Sequence, residues 1–379
     1  MNYTVKKVEN KRDMREFVKL PRRIYYRNDY YVPDLESDVR NTFDPRKNAG
    51  LEHSEIQPFV VVDDSGRTVG RVAAIINRSA NAKWNVKWVR FSFIEFIDAP
   101  QVSVLLMDAV AQWGKERGMD TVVGPLGITD FDKEGMLVED FDQMGSMVTN
   151  YNLPYYPQHM ERMGFTKAAD WLQITVRIPE ELPERYVRVA RFVREHFGLR
   201  VRKVTNGEII REGYNKKIFH LLNETYSPLF GFSELTDRQI EQFTREFLPL
   251  VDKRIMPLVE NAQGELVGVA VTMASMSHAL RKSGGRMWPI GWFHLLGGLK
   301  WKREQKAEML LIAVRPDLQG KGVNALFFED LFPIYRSYGF TCAETGPQLE
   351  TNVRELSQWK AMNPTMGKRR RCYQKPIDA

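Results

Sequence analysis

The segment Glu308–Ala325, EMLLIAVRPDLQGKGVNA, has the makings of a phosphate-binding site. An apolar run, Met309–Val314, predicts a strand, and a helical pattern starts at Asn324. Between them the loop Gln319–Asn324 carries Gly320 and Gly322. Glycines let backbone N–H groups turn toward a ligand, and a helix N-terminus adds partial positive charge. Lys321 adds a cation beside them. Spacing excludes two phosphate loops. A dinucleotide fingerprint needs three spaced glycines and an acid about 20 positions on. A Walker A loop needs Ser or Thr after its lysine, and Gly322 stands there.

The flanks supply the elements that must hold this loop. Leu326, Phe327, Leu331, Ile334 and Tyr335 lie on one face of a helix over Ala325–Tyr338, which Gly339 ends. Phe340–Thr345 reads as a strand, Asn352 falls in a polar turn, Val353–Ala361 reads as a helix, and Lys368–Tyr373 as a final strand. Upstream, Met256–Val259 and Leu266–Met273 read as strands around the turn Asn261–Gly264.

Gln319-x-x-Gly322 after a strand ending in Ala-Val resembles the pyrophosphate loop of the GCN5-related N-acetyltransferases, the GNAT superfamily, whose consensus is Gln/Arg-x-x-Gly-x-Gly/Ala. Asn324 stands where that family has Gly or Ala, and Asn accepts turn geometry better than most residues. The order of hairpin, strand, loop, helix, strand, helix, strand also resembles the family, across roughly the second half of the chain. The resemblance implies acetyl-CoA or a longer acyl-CoA as co-substrate. It implies contacts from Ile312, Val314, Gln319, Gly320, Lys321, Gly322, Val323, Asn324 and Asn352.

The chain also repeats itself. SGRTVGRVA (65–73) parallels QGELVGVAV (263–271), and RGMDTVVGP (117–125) parallels YGFTCAETGP (338–347). Two copies of one unit explain 379 residues better than one large domain. The fold class expected is α/β: two tandem GNAT-like units, each a mixed twisted sheet flanked by helices, over 1–180 and 181–379. Pro179–Pro183 reads as the junction and Glu184–Phe197 as a connecting helix. In the first copy only Asp98-Ala99-Pro100 separates the strand Val89–Ile97 from the next helix. No glycine loop fits there, so a single cofactor site is expected, in the second copy. The first copy then supports the acceptor, as in the tandem myristoyl and Fem aminoacyl transferases that this arrangement resembles.

Composition narrows the class. No apolar stretch is long enough to span a bilayer, and no apolar leader follows MNYTVKKVEN. Cys342 and Cys372 match no metal spacing, and the six histidines form no HExxH. A cytoplasmic, metal-free protein is expected. A net charge of +7 permits nucleic-acid binding without requiring it, and no DNA partner is expected. The run Lys368–Arg371 suits phosphate contacts or a solubilising edge strand equally well.

Acyl transfer from a thioester to an amine needs a base, an oxyanion donor and a route for the leaving thiolate. By resemblance to the histone acetyltransferase branch, Glu308 is the expected base and the backbone N–H near Val314 the oxyanion donor. Trp359 stands where many relatives carry an acidic tyrosine; Tyr335, Tyr338 and Tyr373 are substitutes, and nothing in the sequence selects among them. Two aromatic segments, Asn150–Tyr156 and Trp288–Trp301, suit an acceptor pocket, with Tyr155 and Trp292 as expected contacts. Aromatics beside Lys300, Lys302 and Arg303 suit an amphipathic amine, such as a sphingoid base, or a peripheral membrane contact. Two other readings stay open: a Fem-like aminoacyl transferase using charged tRNA, and a non-catalytic CoA-sensing or interaction module.

Overall fold

Two pairs of glycines fix the same hairpin twice. Gly66 and Gly264 take φ of 77° and 78° at the tips of two β-hairpins, a backbone region that side chains rarely enter. Four residues on, Gly70 and Gly268 lie under a crossing helix. A Cβ on Gly70 would come within 2.7 Å of Val102, and one on Gly268 within 3.0 Å of Phe327. The sequence repeat therefore records two steric requirements, a reversal and a close helix, each met in both halves.

The computed structural model describes residues 2–301 and 303–378, with the backbone alone at 354 and 361. The basic residue expected at Lys302 lies outside the described residues. In chain order the strands are β1 (Tyr3–Lys7), β2 (Ser54–Asp63), β3 (Thr68–Asn77), β4 (Trp88–Phe96), β5 (Thr121–Gly124), β6 (Met136–Leu137) and β7 (Thr166–Arg177). They continue as β8 (Arg200–Arg202), β9 (Leu258–Glu260), β10 (Leu266–Ala274), β11 (Lys306–Val314), β12 (Cys342–Thr345), β13 (Gln348–Leu349) and β14 (Thr365–Pro376).

The chain forms two compact units. The first holds Met1–Trp171, Ser277–Leu295 and Lys368–Ala379; the second holds Leu172–Met276 and Leu296–Gly367. Relative to the expected division at 180/181, residues 172–180 go with the second unit, and the segments 277–295 and 368–379 go with the first.

In the first unit the strand order is β1-β2-β3-β4-β5-β14-β7, with β4 and β5 parallel and the β2–β3 and β3–β4 pairs antiparallel. Helix α1 (Lys11–Ile24) starts on Asn10, whose side chain accepts from the N–H groups of Arg12 and Asp13. Helix α2 (Pro100–Lys115) lays Val102, Leu106 and Val110 on the sheet among Val72, Phe91 and Phe96. Helix α3 (Tyr155–Arg162) adds Tyr156 and Met160 to that core.

In the second unit the order from the end of β7 is β7-β12-β11-β10-β9-β8, with only β11 and β12 parallel among the pairs from β7 to β8. The helices include α4 (Glu184–Phe197), α5 (Tyr214–Tyr226), α6 (Asp237–Phe247), then, after α7 (Ser277–Ser283) and α8 (Gly291–Lys300), α9 (Asn324–Ser337) and α10 (Val353–Ser357). The core gathers around α9, where Phe327, Phe328, Leu331, Phe332 and Tyr335 are buried against Val259, Val267 and Ala343. Trp359 belongs to this core. Its ring meets Phe328 at 5.3 Å, and its indole N–H donates to Gln348 Oε1 at 3.3 Å.

The first unit also buries a carboxyl. Glu95 accepts from the Tyr25 hydroxyl at 2.5 Å and the Tyr156 hydroxyl at 2.7 Å, with Arg71 3.9 Å from its other oxygen. Burial pushes its pKa up to about 7, against the opposing pull of Arg71 and the two hydroxyls. The folded chain thus holds this proton more tightly than the unfolded one. Its contribution is fully present below the ordinary carboxylate range and is lost as pH rises toward 7. Glu95→Gln keeps the shape without the proton. The stability difference between variant and parent, measured by urea unfolding, should move in the variant's favour between about pH 4.5 and 7. A difference independent of pH would mean that Glu95 titrates alike folded and unfolded.

Candidate active site

Strand β11 keeps one neighbour and loses the other. It pairs with β10 from Ala274↔Ala307 to Gly268↔Val314, with a register shift that leaves Leu310 as an extra residue. On its other side it pairs with β12 only from Lys306↔Cys342 to Met309↔Thr345. The Gly346 N–H, donating to Met309 O at 2.7 Å, closes that ladder. Arg315 N–H turns to Val267 O at 2.9 Å, so by strand alternation Ile312 and Val314 present their backbone groups to the uncovered edge. Two side chains reach the carbonyls there. Tyr226, at the end of α5, donates to Ile312 O at 3.1 Å, and Gln319 Nε2 donates to Val314 O at 3.0 Å. The Val314 N–H has no partner among the described residues.

Glu308 sits one residue before this parting and is 3% exposed. It lies opposite Glu344 on β12, and Lys306 donates to Glu344 Oε2 at 2.8 Å. Burial acts to lower the Lys306 pKa, but Glu344 and Glu308 outweigh it and hold the ammonium raised. One half-buried cation therefore serves two carboxylates, and Glu308 is the one beside the opening.

The loop continues from the open edge. After a short turn at Pro316–Leu318, Gly320 and Gly322 take φ of 76° and 86°, and α9 begins. Lys321 N–H bonds back to Leu318 O and Ala325 N–H to Gly322 O. The N–H groups of Gly320, Gly322, Val323 and Asn324 have no partner among the described residues. Four free amides at a helix N-terminus form a cradle for an anion. Lys321 is exposed beside it, with Nζ 5.5 Å from the Phe197 ring centre. Asn324 takes helical rather than turn geometry, and its amide donates to Gln358 Oε1 at 2.5 Å. Its own Oδ1 is buried without a partner. The donors present fit a pyrophosphate, and the open edge of β11 offers a strand-like partner for an amide-bearing arm.

The first unit answers the same geometry differently. There Ile97 N–H donates to Val69 O, as Arg315 does to Val267 O, and Phe96 pairs with Gly70 as Val314 does with Gly268. Phe96 is thus the counterpart of Val314. Its N–H donates to the Tyr156 hydroxyl at 3.1 Å, and its carbonyl accepts from the Tyr155 hydroxyl at 2.5 Å. Two tyrosines occupy the edge that stays open in the second unit. The next helix opens with Pro100, which lacks an N–H, so the anion cradle is missing as well.

Of the residues expected from sequence, Glu308, Ile312, Val314 and Gln319–Asn324 come together along β11 and the start of α9. Asn352 caps α10, accepting from Glu355 N–H at 3.4 Å. Tyr155 and Trp292 belong to the first unit. Tyr155 is tied to Phe96, and the Trp292 indole donates to Pro289 O at 3.1 Å. The three substitute acids are all engaged: Tyr335 with Thr272 in the core, Tyr338 with Asp252, Tyr373 with Glu161. Tyr226, Lys306 and Glu344 were missed. The alternation Lys306-x-Glu308 was a visible signal for one face of a strand, but its partner on β12 was not.

This arrangement is the fold of a tandem GCN5-related N-acetyltransferase. A tandem GNAT protein from the clavulanic acid biosynthesis pathway superposes with a TM-score of 0.58 over 100% of this chain and 99% of its own, at 11% identity. A GCN5-related N-acetyltransferase from Sphaerobacter thermophilus superposes at 0.54 over 100% and 96%, at 12% identity. In sequence the chain is similar to the bacterial ceramide synthase of Caulobacter vibrioides, 24% identical over 98% of this chain and 96% of the relative. It is also similar to protein YghO of Escherichia coli K12, 26% identical over 97% and 94%. No family model matches the chain.

Gly322 carries a further constraint. A Cβ there would lie 2.5 Å from Val189 Cγ1 on α4, besides meeting a positive φ. Gly322→Ala should cost about 1–3 kcal/mol in urea unfolding. Val189→Ala in the same chain should recover the steric share and leave the backbone share. Strict additivity of the two changes would contradict the contact.

Proposed function

We propose that the protein is an acyl-CoA-dependent N-acyltransferase with one thioester site, in the second unit, and an amine acceptor that carries an apolar chain. The observation that carries this reading is the parting of β11 from β12 after Met309, with Glu308 just before it and four free amides just beyond it. The Gly320–Asn324 amides and Lys321 would hold the pyrophosphate, and the Ile312–Val314 edge the pantetheine arm. The amine nitrogen attacks the thioester carbonyl while Glu308 takes its proton, directly or through water. The Val314 N–H donates to the oxyanion. The C–S bond then breaks, and the sulfur leaves as a thiolate, which needs no strong acid because the corresponding thiol is itself acidic enough. Tyr226 brings a hydroxyl to the same edge and is the candidate to protonate it. The likeness to a relative named as a ceramide synthase supports a long-chain amine as acceptor.

Lys321 is the better position for testing the cofactor, since a side chain at Gly322 disturbs packing as well. Lys321→Glu should weaken acyl-CoA binding by more than about tenfold in calorimetry with the fold unchanged. The parent should titrate to one site per chain. Two equivalent sites, or undiminished affinity in the variant, would defeat the assignment, and tight binding of charged tRNA instead would favour the Fem-like alternative.

Glu308→Gln should keep acyl-CoA affinity and lower turnover by about 10²–10⁴-fold. The deficit should shrink at higher pH, where more of the amine is already free. Turnover within about twofold of the parent, with chemistry rate-limiting, would make Glu308 a structural residue.

A further inference from the structure

Isolated exposed apolar side chains are ordinary, but a run of them is not. Before and into α8, Trp288 is 77% exposed, Ile290 65%, Phe293 56% and Trp292 44%, and Met287 is exposed as well. All belong to the first unit. Trp292 and Phe293 meet edge to face at 6.0 Å, and the Trp292 indole N–H is tied to Pro289 O. The run is therefore ordered in part by its own contacts and still faces outward.

Its charge is one-sided. From Leu266 to Arg303 the sequence holds no Asp or Glu, while Arg281, Lys282, Arg286, Lys300, Lys302 and Arg303 are basic. Within the first unit, Arg281 pairs with Asp29 and Arg286 with Glu36. Lys282 is exposed and has no ion-pair partner among the described residues. The ten residues of α8 rise about 15 Å, half of a bilayer's hydrocarbon core. Among the described residues no helix is long and apolar enough to cross a membrane.

We propose that Met287–Phe293 is an interfacial anchor that seats the protein on an anionic lipid surface. Trp288, Ile290, Trp292 and Phe293 enter the boundary between headgroups and acyl chains, and Lys282 meets the anionic headgroups. Tryptophan suits this depth, because its ring is apolar and its N–H is polar. This stretch carries no acid of its own, and the two acids that reach it, Asp29 and Glu36, are paired with Arg281 and Arg286, which limits the repulsion that such a surface would meet. A second copy of the chain would gain less from this pattern, since two such faces would bring their cations together. The anchor does not depend on the acyl-transfer reading.

The test is co-sedimentation of the full chain with vesicles of phosphatidylcholine alone, and of phosphatidylcholine with about one-third phosphatidylglycerol. The parent should partition onto the anionic vesicles, and less so as salt rises. Trp288→Ser with Ile290→Ser should lower that partitioning by at least about tenfold while leaving the thermal melt unchanged, since both side chains are exposed. Lys282→Glu should weaken binding to the anionic vesicles alone. Lys321→Glu, which alters the proposed thioester site, should bind vesicles as the parent does. Equal partitioning of the double variant and the parent would overturn the anchor. So would no partitioning of the parent, or self-association in sedimentation velocity that the double variant abolishes while vesicles bind neither.

Discussion

A strand in the middle of a sheet has two ladders to satisfy, and β11 satisfies one and a half. Its pairing with β12 stops at Met309, and the extra residue at Leu310 redirects the strand just there. Everything proposed for the second unit follows from that shortfall. Unpaired backbone groups must find water, side chains or a ligand. Tyr226 and Gln319 take two of the carbonyls, while the Val314 N–H and the four amides of the loop are left over. The first unit faces the same shortfall at Phe96 and removes it with Tyr155 and Tyr156. The difference between the two copies at this edge is thus a difference in who completes a ladder.

Burial of charge is handled by the same rule of completion. Glu95 is enclosed by two hydroxyls and a guanidinium; Glu344 and Glu308 share Lys306. Glu95 and Glu344 lie on strands and draw their partners from neighbouring strands or helices, whereas Lys306 shares β11 with Glu308 and acts on it through charge. A buried polar group left without partners costs far more than a satisfied one gains, so such clusters fix which elements must meet.

Local features were legible in the sequence because their causes are local. The helix Glu184–Phe197 follows from periodicity between a proline and a glycine, and the structure has it at those residues. The glycine repeat was legible because a tight turn and a close helix leave no alternative residue. Trp359 is a core residue, which its place in the sequence did not announce. Hidden from the sequence were pairings between distant residues. Nothing near Tyr155 announces that its hydroxyl belongs to Phe96, 59 residues away, and nothing near Glu344 announces Glu308. Helix α5, with Tyr226, lay in a region without a chemical motif, so its contact with Ile312 had no signal at all.

The strand β14 has a bearing on how the molecule comes into being. It lies between β5 and β7 in the strand order, yet it is made about 190 residues after β7. Residues 368–379 belong to the first unit, whose other strands are all synthesised long before. On the ribosome, that unit must wait with two strand edges unmatched while the whole second unit is translated. Edges of that kind invite pairing with other chains. The first unit can be completed only after the second has been made, so its vulnerable period includes the time needed to translate the second.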